Sequence, residues 1–233
     1  MKKSKIKGIA IIFLILIAIS ISYISYYYYL VESANAVLAD STCYSNSTCD
    51  IEKVNLSIEK YLKAEKLYDE PFVYENCGLA YYYNKKYLFA YSQLNTAIGI
   101  KNRFPLYEKI KSFVSLGLYE PTDWEIKQIL LYYTLGDIST KLGNYNQCID
   151  DYTKMFKVAT QQGKDALERE KRGFCYYKLG MYKEAYDDCV NEKEWLNNRI
   201  SNLPDNKLKD AYINRVKKID NLLVDISKAD GNN

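Results

Sequence analysis

Cysteine is the residue type in this chain best placed to do covalent chemistry, and histidine is absent. Cys43 and Cys49 flank the polar stretch YSNST, a spacing that suits a small disulfide loop. Cys77, Cys148, Cys175 and Cys189 are scattered through the remainder and read as small buried residues packed as thiols. Without imidazole there is no Ser-His-Asp or Cys-His nucleophile, no His-ligated zinc and no histidine pH switch. A zinc site would need four cysteines, and no C-x-x-C pair exists to start one. No catalytic residue, metal ligand or cofactor site is therefore expected, and the chain reads as a binder rather than an enzyme. Asn46-Ser47-Thr48 and Asn55-Leu56-Ser57 are glycosylation sequons, usable if the segment is exported into a glycosylating compartment.

Charge is divided unevenly along the 233 residues. The net of +3 arises at the amino terminus, where Lys2, Lys3, Lys5 and Lys7 occur without an acid. The rest carries 28 Lys and Arg against 29 Asp and Glu, a net of −1, so no basic face for nucleic acid is expected. From Gly8 to Val31 there is no charged residue. As a helix these positions span about 36 Å, enough for a hydrocarbon core of about 30 Å. Tyr23, Tyr26, Tyr27, Tyr28 and Tyr29 fall at its far end, where amphipathic rings suit lipid headgroups. Four lysines precede the span and Glu32, Asp40, Asp50 and Glu52 follow it. This asymmetry puts residues 1–7 in the cytoplasm as a basic tail, 8–31 in the bilayer as a signal anchor, and everything beyond outside the cytoplasm. A cleaved secretory signal ending near Ala34-Asn35-Ala36 is the competing reading. A third is a prepilin-type signal at Lys7-Gly8-Ile9.

Beyond a linker over 32–50, an internal repeat organises the chain. Three segments share one spacing: Gly78, Tyr87, Ala90; Gly136, Tyr145, Cys148; Gly173, Tyr182, Ala185. In each the aromatic follows the glycine by nine residues and the small residue follows it by twelve. Gly143 and Gly180 stand seven after the first glycine in two segments, with Lys85 at that place in the first. Mid-helix glycine is unfavourable unless another helix must come close. The pattern predicts pairs of antiparallel helices, with Ala90, Cys148 and Ala185 meeting the glycines and Gly143 and Gly180 ending the first helices in a left-handed conformation. Each pair leaves one face unburied and must stack on a neighbour.

These segments resemble the tetratricopeptide repeat, a 34-residue helix-turn-helix unit. The resemblance rests on Tyr74, Gly78, Tyr81, Tyr87, Ala90, Leu94 and Ala97 in residues 71–104. It continues with Tyr132, Leu135, Gly136, Gly143, Tyr145, Cys148 and Tyr152 in 129–162, and with Gly173, Tyr176, Gly180, Tyr182 and Ala185 in 166–199. In the third unit Arg169 and Arg172 replace the usual aromatic and leucine. The glycine-to-glycine steps of 58 and 37 leave room for an extra helix over 105–116 and a short loop extension before the third unit. Residues 51–71 resemble the second helix of an earlier, degenerate unit. Residues 206–228 carry Leu208, Ala211, Tyr212, Val216, Ile219, Leu222, Leu223 and Ile226 at helical spacing and predict a capping helix, followed by a tail over 229–233. The expected fold is all-α, with about nine helices and no sheet: a tetratricopeptide-type solenoid domain over 51–228, preceded by a single transmembrane helix.

The resemblance implies that the first helices line a concave groove. Carried onto this sequence, that groove takes Phe72, Glu75, Leu79, Tyr82 and Tyr83 from the first unit. The second supplies Leu130, Tyr133, Asp137, Thr140 and Lys141, and the third Leu167, Glu170, Phe174, Tyr177 and Lys178. Mixed aromatic and polar walls suit an extended peptide or an amphipathic helix. The resemblance also extends to chaperone-binding members, but Glu75, Leu79 and Leu167 stand where a carboxylate clamp needs Lys or Asn, and only Lys171 keeps a matching charge. The expected role is a membrane-anchored interaction scaffold or assembly factor with protein partners, and with no nucleic acid or small-molecule substrate. The alternative is a structural subunit of a cell-envelope, pilus or secretion assembly.

Overall fold

The structure, a computed structural model, describes residues 2–41, 43, 49–103, 124–161, 168–204 and 207–231; for 2–11, 101–103 and 124–126 only the helical backbone is described. Nine helices and no strand occur among the described residues. They divide between two compact units, Met1–Tyr107 and Glu108–Asn233. The extra helix expected over 105–116, Leu167 and Asn46 lie outside the described residues.

The first unit holds α1 (Lys2–Asp40), α2 (Ile51–Glu65), α3 (Pro71–Tyr83) and α4 (Tyr87–Arg103). Among the described residues α1 is the one helix long and apolar enough to cross a membrane. Its large apolar side chains from Ile12 to Ile24 are exposed. From Tyr27 onward the same helix becomes a packing element: Tyr27, Leu30, Val31, Ala34 and Leu38 are buried, as are Val54, Ile58, Tyr61 and Ala64 on its neighbour α2. The segment 32–50 is therefore not a linker throughout, because α1 runs unbroken to Asp40. It supplies the first helix to which α2 is the second. Polar contacts fix the pairing. Tyr61 donates to Asn35 Oδ1 at 2.5 Å, Asn76 of α3 donates to the same oxygen at 3.1 Å, and Lys53 bridges to Asp40 at 2.5 Å. Asp50 caps α2 by accepting from the Lys53 backbone N–H, and Cys43 and Cys49 are disulfide-bonded beside it.

The second unit holds α5 (Trp124–Lys141), α6 (Tyr145–Gln161), α7 (Arg169–Lys178), α8 (Tyr182–Ser201) and α9 (Lys207–Asp230). α5 packs on α6, α6 on α7, α7 on α8, and α9 covers α8. Ile219 and Ile226 of α9 are buried against Ala185, Cys189 and Leu196, with Val216, Leu222 and Leu223 beside them. Leu208 stays exposed at the start of the helix.

The turn between paired helices has one form in all three repeats. Lys86 N–H reaches Tyr81 C=O and Lys85 N–H reaches Tyr82 C=O, both closing a Schellman motif. Asn144 to Ser139 with Gly143 to Thr140, and Met181 to Tyr176 with Gly180 to Tyr177, repeat it. The left-handed position is Gly143 (φ 72°) and Gly180 (φ 74°) in two repeats and Lys85 (φ 58°) in the first. A side chain is strained there, so glycine is the residue that fits without cost.

The mid-helix glycines do mark close approach, but not always to the expected small residue. A Cβ on Gly173 would lie 3.1 Å from the Ala185 carbonyl oxygen, as the spacing predicts. On Gly78 it would meet Leu94 at 2.7 Å, and on Gly136 the Tyr152 ring at 2.8 Å. Both partners stand four residues after the small residue, one turn along the same face. The glycine thus accommodates a large side chain laid across it.

Contacts between helices correct one further expectation and account for one departure from the repeat pattern. Cys148 and Cys175 are bonded to each other, tying α6 to α7, whereas Cys77 and Cys189 are buried thiols. Cys148 faces the following repeat as well as its own partner helix, a relation that intra-repeat spacing does not contain. Arg172, a departure from the repeat pattern, forms a bidentate pair with buried Asp188 at 2.7 and 2.8 Å. Its guanidinium also lies 4.6 Å from the Phe156 ring centre. Charge and stacking thus occupy the place of an apolar contact.

Gly136→Ala tests the close approach. At an open helix position this change stabilises by up to about 1 kcal/mol. Here Tyr152 is fully buried and cannot retreat, so the variant is expected to lose about 2 kcal/mol through overpacking, measured by chemical denaturation followed by circular dichroism.

Candidate functional site

In the first unit α3 carries Glu75, Leu79, Tyr82 and Tyr83, all half-buried. The Tyr82 ring stands edge-on to Tyr83 at 5.8 Å and tilts toward Tyr87 at 6.0 Å. These tyrosines therefore brace the α3–α4 turn as well as forming surface. Asn55 is exposed on α2 and accepts a hydrogen bond from Asn84 at 2.6 Å.

In the second unit a cleft of about 490 Å3 is bounded by α5, α7 and α9, with Tyr152 of α6 at its wall. Asp137 and Thr140 come from α5, Glu170, Lys171 and Phe174 from α7, and Arg215, Lys218, Ile219, Leu222 and Asp225 from α9. Contributors recur at about one helical turn, Asp137 and Thr140 on α5, Glu170 and Phe174 on α7, and Arg215, Lys218, Leu222 and Asp225 on α9, so each helix presents a strip to the cleft.

Lys171 is central to this strip. Its ammonium donates to the Tyr133 hydroxyl, sits 4.2 Å from that ring's centre, and lies 2.9 Å from Glu168 and 4.0 Å from Asp137. Burial pulls its pKa down, but the Tyr133 and Glu168 contacts outweigh this and the pKa is raised, keeping it cationic. Across the cleft, Arg215 holds both oxygens of Glu170 at 2.7 and 2.8 Å and Glu192 Oε1 at 2.8 Å. Glu192 is fully buried and also accepts the Arg169 N–H at 3.0 Å. Burial raises its pKa, which the backbone N–H bonds only partly offset.

Three acids, Asp137, Glu170 and Asp225, face three bases, Lys171, Arg215 and Lys218, along the cleft. The walls are balanced in charge, and Phe174, Ile219 and Leu222 provide the apolar surface between them. Tyr152 adds a buried hydroxyl with no hydrogen-bond partner among the described residues, and burial drives its pKa far up, so it stays a neutral donor.

Of the groove residues expected in this unit, Asp137, Thr140, Glu170 and Phe174 line the cleft. Tyr133 is joined to it through Lys171, and Lys141 pairs with Asp137 at 3.7 Å. Tyr177 does not line it. It packs against the apolar cluster that α8 and α9 form around Cys189, Leu196 and Ile219, and its ring lies 6.2 Å from Tyr182. Lys178 is exposed, with its ammonium 5.2 Å from the Phe174 ring centre. The wall supplied by α9 is absent from the sequence expectation. The apolar period that predicts the capping helix also places Arg215, Lys218 and Asp225 between its buried positions, and that was the available signal.

No family model matches the chain. A TPR repeat-containing protein of Methanocaldococcus jannaschii is 30% identical to it over 141 residues, 56% of this chain and 24% of that protein. The likeness to a TPR repeat-containing protein agrees with the repeat spacing. The chain spans about a quarter of that relative's length. Among solved structures it is similar to the kinesin light chain nearly identical TPR-like repeats of Podosopora anserina, at 11% identity and a TM-score of 0.47 over 87% of this chain and 94% of that one. It is also similar to the TPR2AB-domain:pHSP90 complex of yeast Sti1, at 19% identity and a TM-score of 0.27 over 83% and 98%. α9 is both the cap of the last pair and a wall of the cleft.

Arg215→Ala leaves Glu192 buried beside no guanidinium. The expected loss at neutral pH is about 3 kcal/mol. Arg215 lowers the Glu192 pKa, so its removal raises a pKa already above the usual 4.5. The deficit is then full above the folded-state pKa and shrinks as pH falls toward 4.5, which denaturation at a series of pH values measures.

Proposed function

We propose that this chain is a membrane-anchored interaction scaffold whose tetratricopeptide region, exposed outside the cytoplasm, binds a peptide or helix of a protein partner. The observation that carries the reading is the cleft bounded by α5, α7 and α9. It offers an apolar strip around Phe174 and Leu222 between charges of both signs. Such walls suit an amphipathic segment, whose apolar face enters while its charged flanks meet Asp137, Lys171 and Lys218. Glu75, Leu79, Tyr82 and Tyr83 offer a comparable strip on the first unit.

Export is supported by the four lysines before α1 and by two disulfides beyond it, Cys43–Cys49 and Cys148–Cys175. Disulfides persist in oxidising compartments and are reduced in most cytosols. The polarity of α1 and the oxidation state of the body thus point the same way.

A photo-crosslinker placed at Lys218 or Asp137 in native membranes is expected to capture a defined protein partner, identified by mass spectrometry, while one at Lys157 on α6 or Tyr186 on α8 does not. Equal capture from both sets would remove the cleft as the binding site. For topology, a membrane-impermeant maleimide applied to intact cells after mild reduction is expected to label Cys43 and Cys49; labelling that needs permeabilisation would place the body in the cytoplasm.

A further inference from the structure

The α2–α3 turn is fastened to α1 at a level that matters if α1 crosses a bilayer. Tyr23 donates to the Leu67 carbonyl at 2.9 Å, and Tyr27 donates to Glu70 Oε2 at 2.9 Å. The Tyr27 and Tyr68 rings are 5.7 Å apart. The turn therefore lies beside residues 23–27, inside the uncharged stretch that ends at Val31.

Helix geometry then constrains where the hydrocarbon can stop. Val31 is about 12 Å further along the axis than Tyr23 at 1.5 Å per residue. Were the apolar layer to extend to Val31, the turn would be held inside it, about 12 Å deep at the Leu67 level fixed by Tyr23 and about 6 Å deep at the Glu70 level fixed by Tyr27, an environment that cannot solvate the exposed Lys66 and Asp69. The boundary must fall near Tyr23. The uncharged helix below that point, Gly8–Ser22, is about 22 Å long, some 8 Å less than a hydrocarbon core of about 30 Å. A short span is accommodated by local thinning and by drawing its flanking residues toward the core. On the body side those flanking residues are the turn itself.

Its side chains suit that position. Tyr26, Tyr28 and Tyr29 on α1 and Tyr68 on the turn are all at least half exposed. Tyr23 to Tyr29 covers about 9 Å of helix, close to the depth of one headgroup layer. Lys63 and Lys66, exposed at the end of α2, are placed to meet lipid phosphates. The opposite end of the pair, at Asp40 and Lys53, is about 26 Å further from the bilayer along α1.

We propose that the α2–α3 turn, with Leu67 and Tyr68 at its tip, is a lipid-headgroup docking surface that stands the first unit on the bilayer. This rests on the reading that α1 crosses a membrane. Because α1 is unbroken to Asp40, the docked unit has a set orientation on the membrane.

The test uses the full chain in vesicles of phosphatidylcholine and phosphatidylglycerol, kept oxidised so that the disulfides stay closed. Single nitroxide labels are placed by Tyr68→Cys, by Leu88→Cys on the far end of the unit, and by Ile15→Cys within the span. Lys66→Cys is a second reporter that leaves the Tyr27–Tyr68 contact in place. Labels at 68 and 66 are expected to collide with an aqueous nickel chelate several-fold less often than the label at 88, while the label at 15 is accessible to oxygen and shielded from nickel. Equal nickel accessibility at 66, 68 and 88, with 15 still shielded, overturns the docking and leaves the anchor standing. Nickel access at 15 overturns the spanning reading and the docking with it.

Discussion

The structure depends on how closely two helices can approach at a glycine. At Gly78, Gly136 and Gly173 the space where a side chain would begin is taken by Leu94, by the Tyr152 ring or by the Ala185 backbone. Mid-helix glycine costs about 1 kcal/mol in backbone entropy. The return is a pair tight enough to bury Leu94 and Tyr152 completely. The same approach sets how near the two helices of each pair stand.

Stacking alone leaves the helices joined by apolar contact, and the second unit adds directional bonds both between and within its pairs. Cys148–Cys175 joins α6 to α7, Arg172–Asp188 joins α7 to α8, and Arg215 joins α9 to both α7 and α8 through Glu170 and Glu192. A buried charge pair returns little net energy over an apolar one, but it fixes register, because either partner left alone is costly. The capping helix is held where it both closes the core and walls the cleft. A groove whose walls shift cannot select a ligand by shape, so these bonds bear on binding as much as on stability.

In the first unit the organising element is α1. A helix that is exposed and apolar from Ile12 to Ile24 and packed from Tyr27 onward joins that apolar segment directly to the helix pairs. Tyr27, Asn35 and Asp40 each bond a different part of the α2–α3 region, spreading the attachment along the helix.

Much of this was legible in the residues. The spacing of Gly78, Gly136 and Gly173, the turn glycines Gly143 and Gly180, and the amphipathic run over 206–228 determine the helix pairs and their cap, because helical period and left-handed backbone are local properties written in consecutive residues. Asp137, Glu170 and Phe174 were assigned to a groove only by the resemblance, and in the structure they line one cleft. What followed from contact between distant segments was not readable. Cys148 had no visible partner, Tyr177 was indistinguishable from a groove residue until α9 packed near it, and residues 32–40 had no sign of the helix they would face. Spacing along one chain records which side chains share a face. Which second face arrives to cover it, and how near, depends on volumes and distances that exist only once the helices have packed.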